Sequence, residues 1–140
     1  MAPTGLAAKR MAESTGMNSA TIHKACGLVP ADNPSGFKAQ GECRICGFVG
    51  IDEMSMVGEH LFAFAVDAVL NSPSTRIVLL GDTDQLAPVS RGDVLRDLIE
   101  CGVIKTVRLD VNYRQGSTST ITDASIKIRE NRAYSGMTRT

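Results

Sequence analysis

Three short polar clusters hold the residues of this chain that could do chemistry: Asp52-Glu53, Gly81-Asp82-Thr83-Asp84-Gln85 and Asn112-Tyr113-Arg114-Gln115. Each follows an apolar run, at Gly47 to Ile51, Arg76 to Leu80 and Thr106 to Leu109. Such runs read as buried strands, and in an open sheet of parallel strands the carboxyl ends share the edge where ligands bind. Carboxylates, an amide and a guanidinium on one edge suit a phosphate-bearing ligand with a divalent cation. One carboxylate can hold the hard metal, often through water, while a second orients or deprotonates an attacking water. The glutamine can orient that water or sense the terminal phosphate, and the arginine neutralises charge that builds up in the transition state. One strand ending in acids is commonplace; three on one edge are not.

The elements that must position these groups can be read from spacing and caps. Residues Met1 to Thr4 look like the tail of a strand, with Thr4 as N-cap of a helix from Gly5 to Thr15 that Gly16 stops. A second helix opens at Thr21 and carries Ile22, His23 and Lys24 in its first turn, and Gly27 to Gly41, with Pro30, Asp32-Asn33 and Pro34, reads as loop. Gly58 to Asn71 is a helix whose apolar face holds Leu61, Phe62, Ala65, Val66, Val69 and Leu70. Asp93 to Cys101 is a short helix closed by Gly102, Thr106 to Leu109 a further strand, and Ser119 to Asn131 a helix. Apolar strands alternating with helices predict an α/β fold, three-layered around a mainly parallel sheet.

Bulk composition narrows the function classes. With 140 residues, 43% hydrophobic and 21% charged, the chain is sized and composed like one globular domain. No apolar run nears the roughly 20 residues that span a bilayer, and the start lacks the apolar core of a signal peptide, so the expected location is cytoplasmic and no membrane is expected as a partner. Fifteen basic against fifteen acidic residues leave no net charge, so any nucleic-acid contact must be local.

The polar clusters, taken with their flanks, resemble superfamily 1 DNA helicases of the RecD/TraA type. Ala2-Pro3-Thr4-Gly5-x-Ala7-Ala8-Lys9-Arg10 is similar to motif Ia of that family, and Thr21-Ile22-His23 to the short element that follows it. Ile51-Asp52-Glu53-Met54-Ser55-Met56 resembles motif II, Leu80-Gly81-Asp82-x-x-Gln85-Leu86-x-Pro88-Val89 motif III, and Leu109-x-x-Asn112-Tyr113-Arg114-Gln115 motif IV. The resemblance runs in order over nearly the whole chain. It implies a partial RecA-like P-loop NTPase domain over residues 1–140, acting with ATP and Mg2+ on single-stranded DNA. Asp52 would bind magnesium, Glu53 would activate the water, and Gln85 would link the terminal phosphate to the DNA channel. Arg114 would contact that phosphate, with Asp82 and Tyr113 also at the nucleotide. Pro3, Thr4, Thr21 and His23 would line the DNA path, touching backbone rather than base edges. Helicase-nuclease or conjugation subunits are the implied protein partners.

The family's phosphate-cradling loop, Gly-x-x-x-x-Gly-Lys-Ser/Thr, does not occur in the chain, which is read as truncated on its N-terminal side. Negligible ATPase activity is therefore expected of it alone, and self-association through an uncovered sheet edge is expected too. The alternative is an ATP-independent DNA-binding or assembly module on a helicase scaffold. Two smaller readings concern cysteines. His23-x-x-Cys26 with Cys43-x-x-Cys46 has a spacing compatible with four zinc ligands; the opposing reading puts Cys46 at the start of a buried strand as a small apolar residue. Cys101 is assigned to the core and His60 to solvent.

Overall fold

A computed structural model describes residues 1–72 and 74–109. Backbone contacts divide the chain into Met1–Ile104 and Lys105–Thr140. In the second unit the described residues, 105–109, form neither strand nor helix, so the strand expected at Thr106 to Leu109 is not found. Val107 and Leu109, which alternate with polar residues, are both exposed, and no strand among the described residues pairs with them. The helix expected at Ser119 to Asn131 lies outside the described residues.

Within Met1–Ile104 the helices fall where their caps place them. Thr4 accepts from the Ala7 amide at 3.2 Å to open α1 (Gly5–Thr15), and Gly16, at φ 67°, closes it with its amide on the Ala12 carbonyl at 2.9 Å. Thr21 accepts from Lys24 to open the single turn α2 (Ile22–Ala25). The segment read as loop contains an antiparallel hairpin, β1 (Leu28–Pro30) with β2 (Phe37–Ala39), in register Leu28 on Ala39. Its turn residues, Asp32-Asn33-Pro34, are the signals that suggested loop; the flanking strands are three residues each, too short to show alternation. Asn33 and Ser35 tie the turn together by hydrogen bonds to the Phe37 carbonyl.

β3 (Phe48–Ile51) and β4 (Arg76–Leu79) pair in parallel, in register from Phe48 on Arg76 to Ile51 on Leu79. The crossover between them is a one-turn 3-10 helix (Met54–Met56) and then α3 (Glu59–Leu70). On the other edge of β3, the Met1 amine donates to Gly50 O at 2.6 Å and Asp52 N to Met1 O at 3.0 Å, the pair of bonds that flank a parallel rung. Ala2 in turn bridges in parallel to Thr21. The backbone order is thus Thr21, Ala2, β3, β4, which makes residues 1 and 2 the strand tail expected from sequence.

One face of this sheet is packed. Val49, Ile51, Ile77 and Leu79 point into a core with Ile22, Cys26, Met54, Val57, Ala65, Ala68, Val69 and, from α4 (Val94–Glu100), Val94 and Leu95. Phe48 and Val78, on the opposite face, remain 64% and 40% exposed. Cys101, assigned to the core from sequence, is exposed: it is the C-cap of α4, past the last helical residue, and its thiol donates to the Leu98 carbonyl at 3.1 Å. No helix among the described residues is long and apolar enough to cross a membrane.

The N-terminus of α3 is held by the backbone of a distant loop: Glu59 N donates to Arg91 O at 3.0 Å. A Cβ on the preceding Gly58 would lie 2.8 Å from that same carbonyl and collide with Ser90. Gly58→Ala should therefore destabilise the chain by about 1–3 kcal/mol, as overpacking against backbone does. A shift of the urea midpoint to lower concentration at unchanged slope is the expected result, although alanine is ordinarily the better helix former.

Candidate functional site

The expected convergence of strand ends is present for the two clusters that the structure describes. Beyond the last rung, Leu80 N donates to Ile51 O at 2.8 Å and Met54 N to Leu80 O at 3.0 Å. These bonds carry the pairing past both strands and set Asp52-Glu53 beside Gly81-Asp82. Gly81 fits there because it has no side chain: a Cβ would stand 3.1 Å from Met54 Cβ and 2.8 Å from a Leu95 methyl. After Gly81 the chain turns tightly, with Asp82 accepting from Asp84 N at 2.9 Å and Gln85 N donating to Asp82 O at 3.2 Å.

Asp52 is half-buried, and one of its carboxylate oxygens accepts the amide of Glu53 at 2.9 Å. The Met1 amine is close enough for Asp52 to raise its pKa; burial, which lowers it, is the larger influence, so the amine sits below its ordinary value. Among the described residues no side-chain cation pairs with Asp52, Glu53 or Asp82; the ion pairs are Lys9–Glu13, Arg44–Glu42, His60–Glu59 and Arg96–Asp93. The strand ends therefore present carboxylate oxygens that no side-chain cation among the described residues engages. A carboxylate with one oxygen engaged by backbone and the other available fits a magnesium ion, which takes one or two carboxylates and fills its other positions with water and phosphate oxygens.

Glu53 itself stands at φ 56°, ψ 43°, the left-handed region. A residue with a Cβ there costs about 1–2 kcal/mol, and such strain concentrates at functional positions. The conformation turns the chain sharply from β3 into the 3-10 turn, so that Met54 can reach Leu80.

One residue of the site was missed from sequence. Ser55, 4% exposed, donates from its hydroxyl to Gln85 Oε1 at 3.1 Å, joining the two strand ends by side chains across 30 positions. A lone hydroxyl between two methionines was the available signal. Of the remaining expected residues, Pro3, Thr4 and Thr21 lie half-buried around the Ala2–Thr21 bridge, both threonine hydroxyls being engaged as helix caps. His23 is turned to the hairpin: its ring packs edge-on against Phe37 at 4.4 Å, and its Nε2 is buried without a hydrogen-bond partner among the described residues. Tyr113 and Arg114 lie outside the described residues.

The cysteines do not gather into a metal centre among the described residues. Cys26 is buried, and burial, with Cys43 nearby, pushes its thiol up to about 11. Cys43 instead donates to Ala25 O at 3.1 Å, and Cys46, expected to be buried at the start of the strand, is exposed because β3 begins two residues later with its outward-facing Phe48. His60 is solvated as expected.

The left-handed backbone at Glu53 sets a measurable order among substitutions. Glu53→Gly should be more stable than Glu53→Ala by about 1 kcal/mol, because alanine keeps the strain that glycine relieves. Thermal denaturation of the two variants checks it; at an ordinary helical position the order is reversed.

Comparison with known proteins agrees with this geometry. Residues 1–140 match the AAA domain family. The chain is 37% identical over 125 residues to the ATP-dependent RecD2 DNA helicase of Deinococcus radiodurans, covering 89% of this chain and 16% of that protein. It is 36% identical over 135 residues to the RecBCD enzyme subunit RecD of Mycolicibacterium smegmatis, covering 84% of this chain and 24% of the relative. The corresponding subunit of Mycobacterium tuberculosis is 34% identical over 116 residues, covering 71% and 19%. The chain thus spans between 16% and 24% of the length of these relatives. With parallel strands that end in the acid pair and in the Gly-Asp-x-x-Gln turn, and with a sequence similar to RecD helicases, the chain belongs to the AAA domain family, with a RecA-like α/β fold.

Proposed function

We propose that these 140 residues are part of the first motor domain of an ATP-dependent DNA helicase that couples ATP hydrolysis to movement along single-stranded DNA. The observation that carries the reading is the alignment of Asp52-Glu53 with Gly81-Asp82 by the bonds beyond the last β3–β4 rung, in a chain that matches the AAA domain family throughout. Asp52 would hold magnesium, which supplies charge neutralisation on the phosphates when bound. Glu53 accepts the proton of the attacking water, and Gln85 contacts the terminal phosphate. Asp82 stands beside the pair and adds to the negative field that draws the cation in. Arg114 and Tyr113 complete the nucleotide contacts in this reading.

On the DNA side, Pro3, Thr4 and Thr21 surround the Ala2–Thr21 bridge, next to the nucleotide edge of the sheet. With both hydroxyls committed to capping, they offer shape and methyl contacts, suited to a track read without regard to sequence. His23 serves this surface from behind, by packing on Phe37 rather than by reaching the strand. Helicase-nuclease subunits are the partners that the likeness to a RecBCD subunit favours.

Phosphate contacts are the missing part, since the chain contains no Gly-x-x-x-x-Gly-Lys-Ser/Thr. The 140-residue chain should release no phosphate from ATP above a buffer blank. Joined to a segment that supplies such a loop, it should hydrolyse ATP, and Glu53→Gln should lower that turnover by roughly a hundredfold or more, the worth of a general base. Turnover by the chain alone, or turnover in the joined protein indifferent to Glu53→Gln, would refute the reading.

Physical consequences extend to assembly. β4 pairs only with β3 among the described residues, Val78 and Leu80 are exposed along it and at its end, and Phe48 is exposed on the neighbouring β3. Such an edge and patch recruit strands or apolar surfaces. Light scattering across a concentration series should show an apparent mass that rises with concentration; a constant monomer mass would count against an open edge.

A further inference from the structure

A glutamine at the end of a motor strand has two possible chemistries: its amide nitrogen can donate to a phosphate oxygen, or its oxygen can accept from the attacking water and so orient it. The arrangement around Ser55 separates them. Ser55 is the only polar side chain of the 3-10 turn that follows the acid pair, and it is buried. A buried hydroxyl needs a partner, and its partner is Gln85 Oε1 at 3.1 Å. Both ends of the contact are anchored independently, Met54 by its amide on the Leu80 carbonyl and Gln85 by its amide on the Asp82 carbonyl. Gln85 is otherwise exposed, and its Nε2 group has no partner among the described residues.

We propose that Ser55 is a positioning residue that engages the side-chain oxygen of Gln85, so that Gln85 presents N–H donors and contacts an anionic phosphate oxygen instead of orienting the attacking water. This rests on the ATPase reading given above. The division of labour follows from what each group can do: a carboxylate only accepts, whereas a glutamine side chain carries an acceptor oxygen and a donor nitrogen, and engaging the oxygen leaves the donor for a phosphoryl oxygen. Ser55 gives Gln85 that function by occupying its acceptor from the buried side. It also links the turn holding Glu53 to the group that senses the phosphate, so loss or arrival of the phosphate at Gln85 is felt at the strained backbone of Glu53 through one side-chain bond.

Side-chain NMR on the 140-residue chain reads the contact without reference to ATP. The Ser55 hydroxyl proton should exchange slowly while both Gln85 Nε2 protons exchange freely, and Ser55→Ala should move the Gln85 amide pair where Ser55→Thr preserves it. A protected Gln85 Nε2 proton beside a freely exchanging Ser55 hydroxyl overturns the proposal whatever the protein hydrolyses. In the longer protein that carries a phosphate loop, Ser55→Ala should lower kcat for ATP by roughly tenfold with KM little changed, the worth of one hydrogen bond felt in the transition state, and Ser55→Thr should restore it. Gln85→Glu keeps an oxygen for Ser55 but exchanges the donor for an acceptor, and should lose as much activity as Gln85→Ala. Activity retained by Gln85→Glu would mean that the oxygen matters, and would overturn the proposal. Glu53→Gln is the reference: turnover that survives it defeats the ATPase reading itself, whereas turnover that it abolishes, together with an unchanged kcat in Ser55→Ala, defeats only the role of Ser55.

Discussion

The parallel rungs from Phe48 on Arg76 to Ile51 on Leu79, continued by Leu80 N on Ile51 O and Met54 N on Leu80 O, fix where every candidate group near the two strands can stand. A slip of one residue would carry Val49 and Ile51 out of the core and Phe48 into it, so burial of one face enforces the register. The register in turn brings the acids of one strand level with the Gly-Asp turn of the next. Packing energy on the inner face is thereby converted into geometry at the polar edge, where no side-chain ion pair among the described residues engages Asp52, Glu53 or Asp82.

Holding that edge open for chemistry has a conformational cost. The chain must leave β3 and at once fold back so that Met54 meets Leu80, and it does so through a left-handed Glu53. An asparagine or glycine would adopt that backbone more readily. A glutamate there makes sense if the carboxylate is wanted more than the stability. Gly81 shows the complementary solution: the facing position is stripped of its side chain so that Met54 and Leu95 can close over it. Strain on one strand and a vacated Cβ on the other let the two ends approach.

How much of this the sequence disclosed depended on how local the cause was. α1 and α2 begin at Thr4 and Thr21 because a threonine hydroxyl can reach an amide three residues on, and such caps can be read directly. The ends of β3 and β4 were legible because each apolar run stops at an acid or a glycine-acid pair. The β1–β2 hairpin was hidden by its own turn: Pro30, Asn33 and Pro34 dominate a segment whose strands are too short for a period of two to show. Cys101 and Cys46 were misplaced because each lies just outside the element it was assigned to, one at the C-cap of α4 and the other two residues before β3, and cysteine suits either environment. The hydroxyl of Ser55 between two methionines was a faint signal, and its pairing could not be read, since its partner lies 30 residues away and only the fold brings them together.

The continuous apolar runs of β3 and β4 also say something that the packed face alone does not use. A strand that is apolar on every residue is suited to cover on both faces, as in parallel sheets with helices on each side. Here Val49, Ile51, Ile77 and Leu79 use one set of positions, and Phe48 and Val78, on the other, are left to solvent together with Leu80 at the strand end. Neither residue does chemistry, so their apolar character answers to packing. The chain spans between 16% and 24% of the length of the relatives cited. On the helicase reading, the free edge of β4 is where the strand bearing the phosphate loop would pair, directly beside Gly81, Asp82 and Gln85. The two needs are geometrically distinct: a strand paired on that edge would bring phosphate-binding amides to the acids, whereas Val78, on the sheet face, would be buried by a helix laid across it.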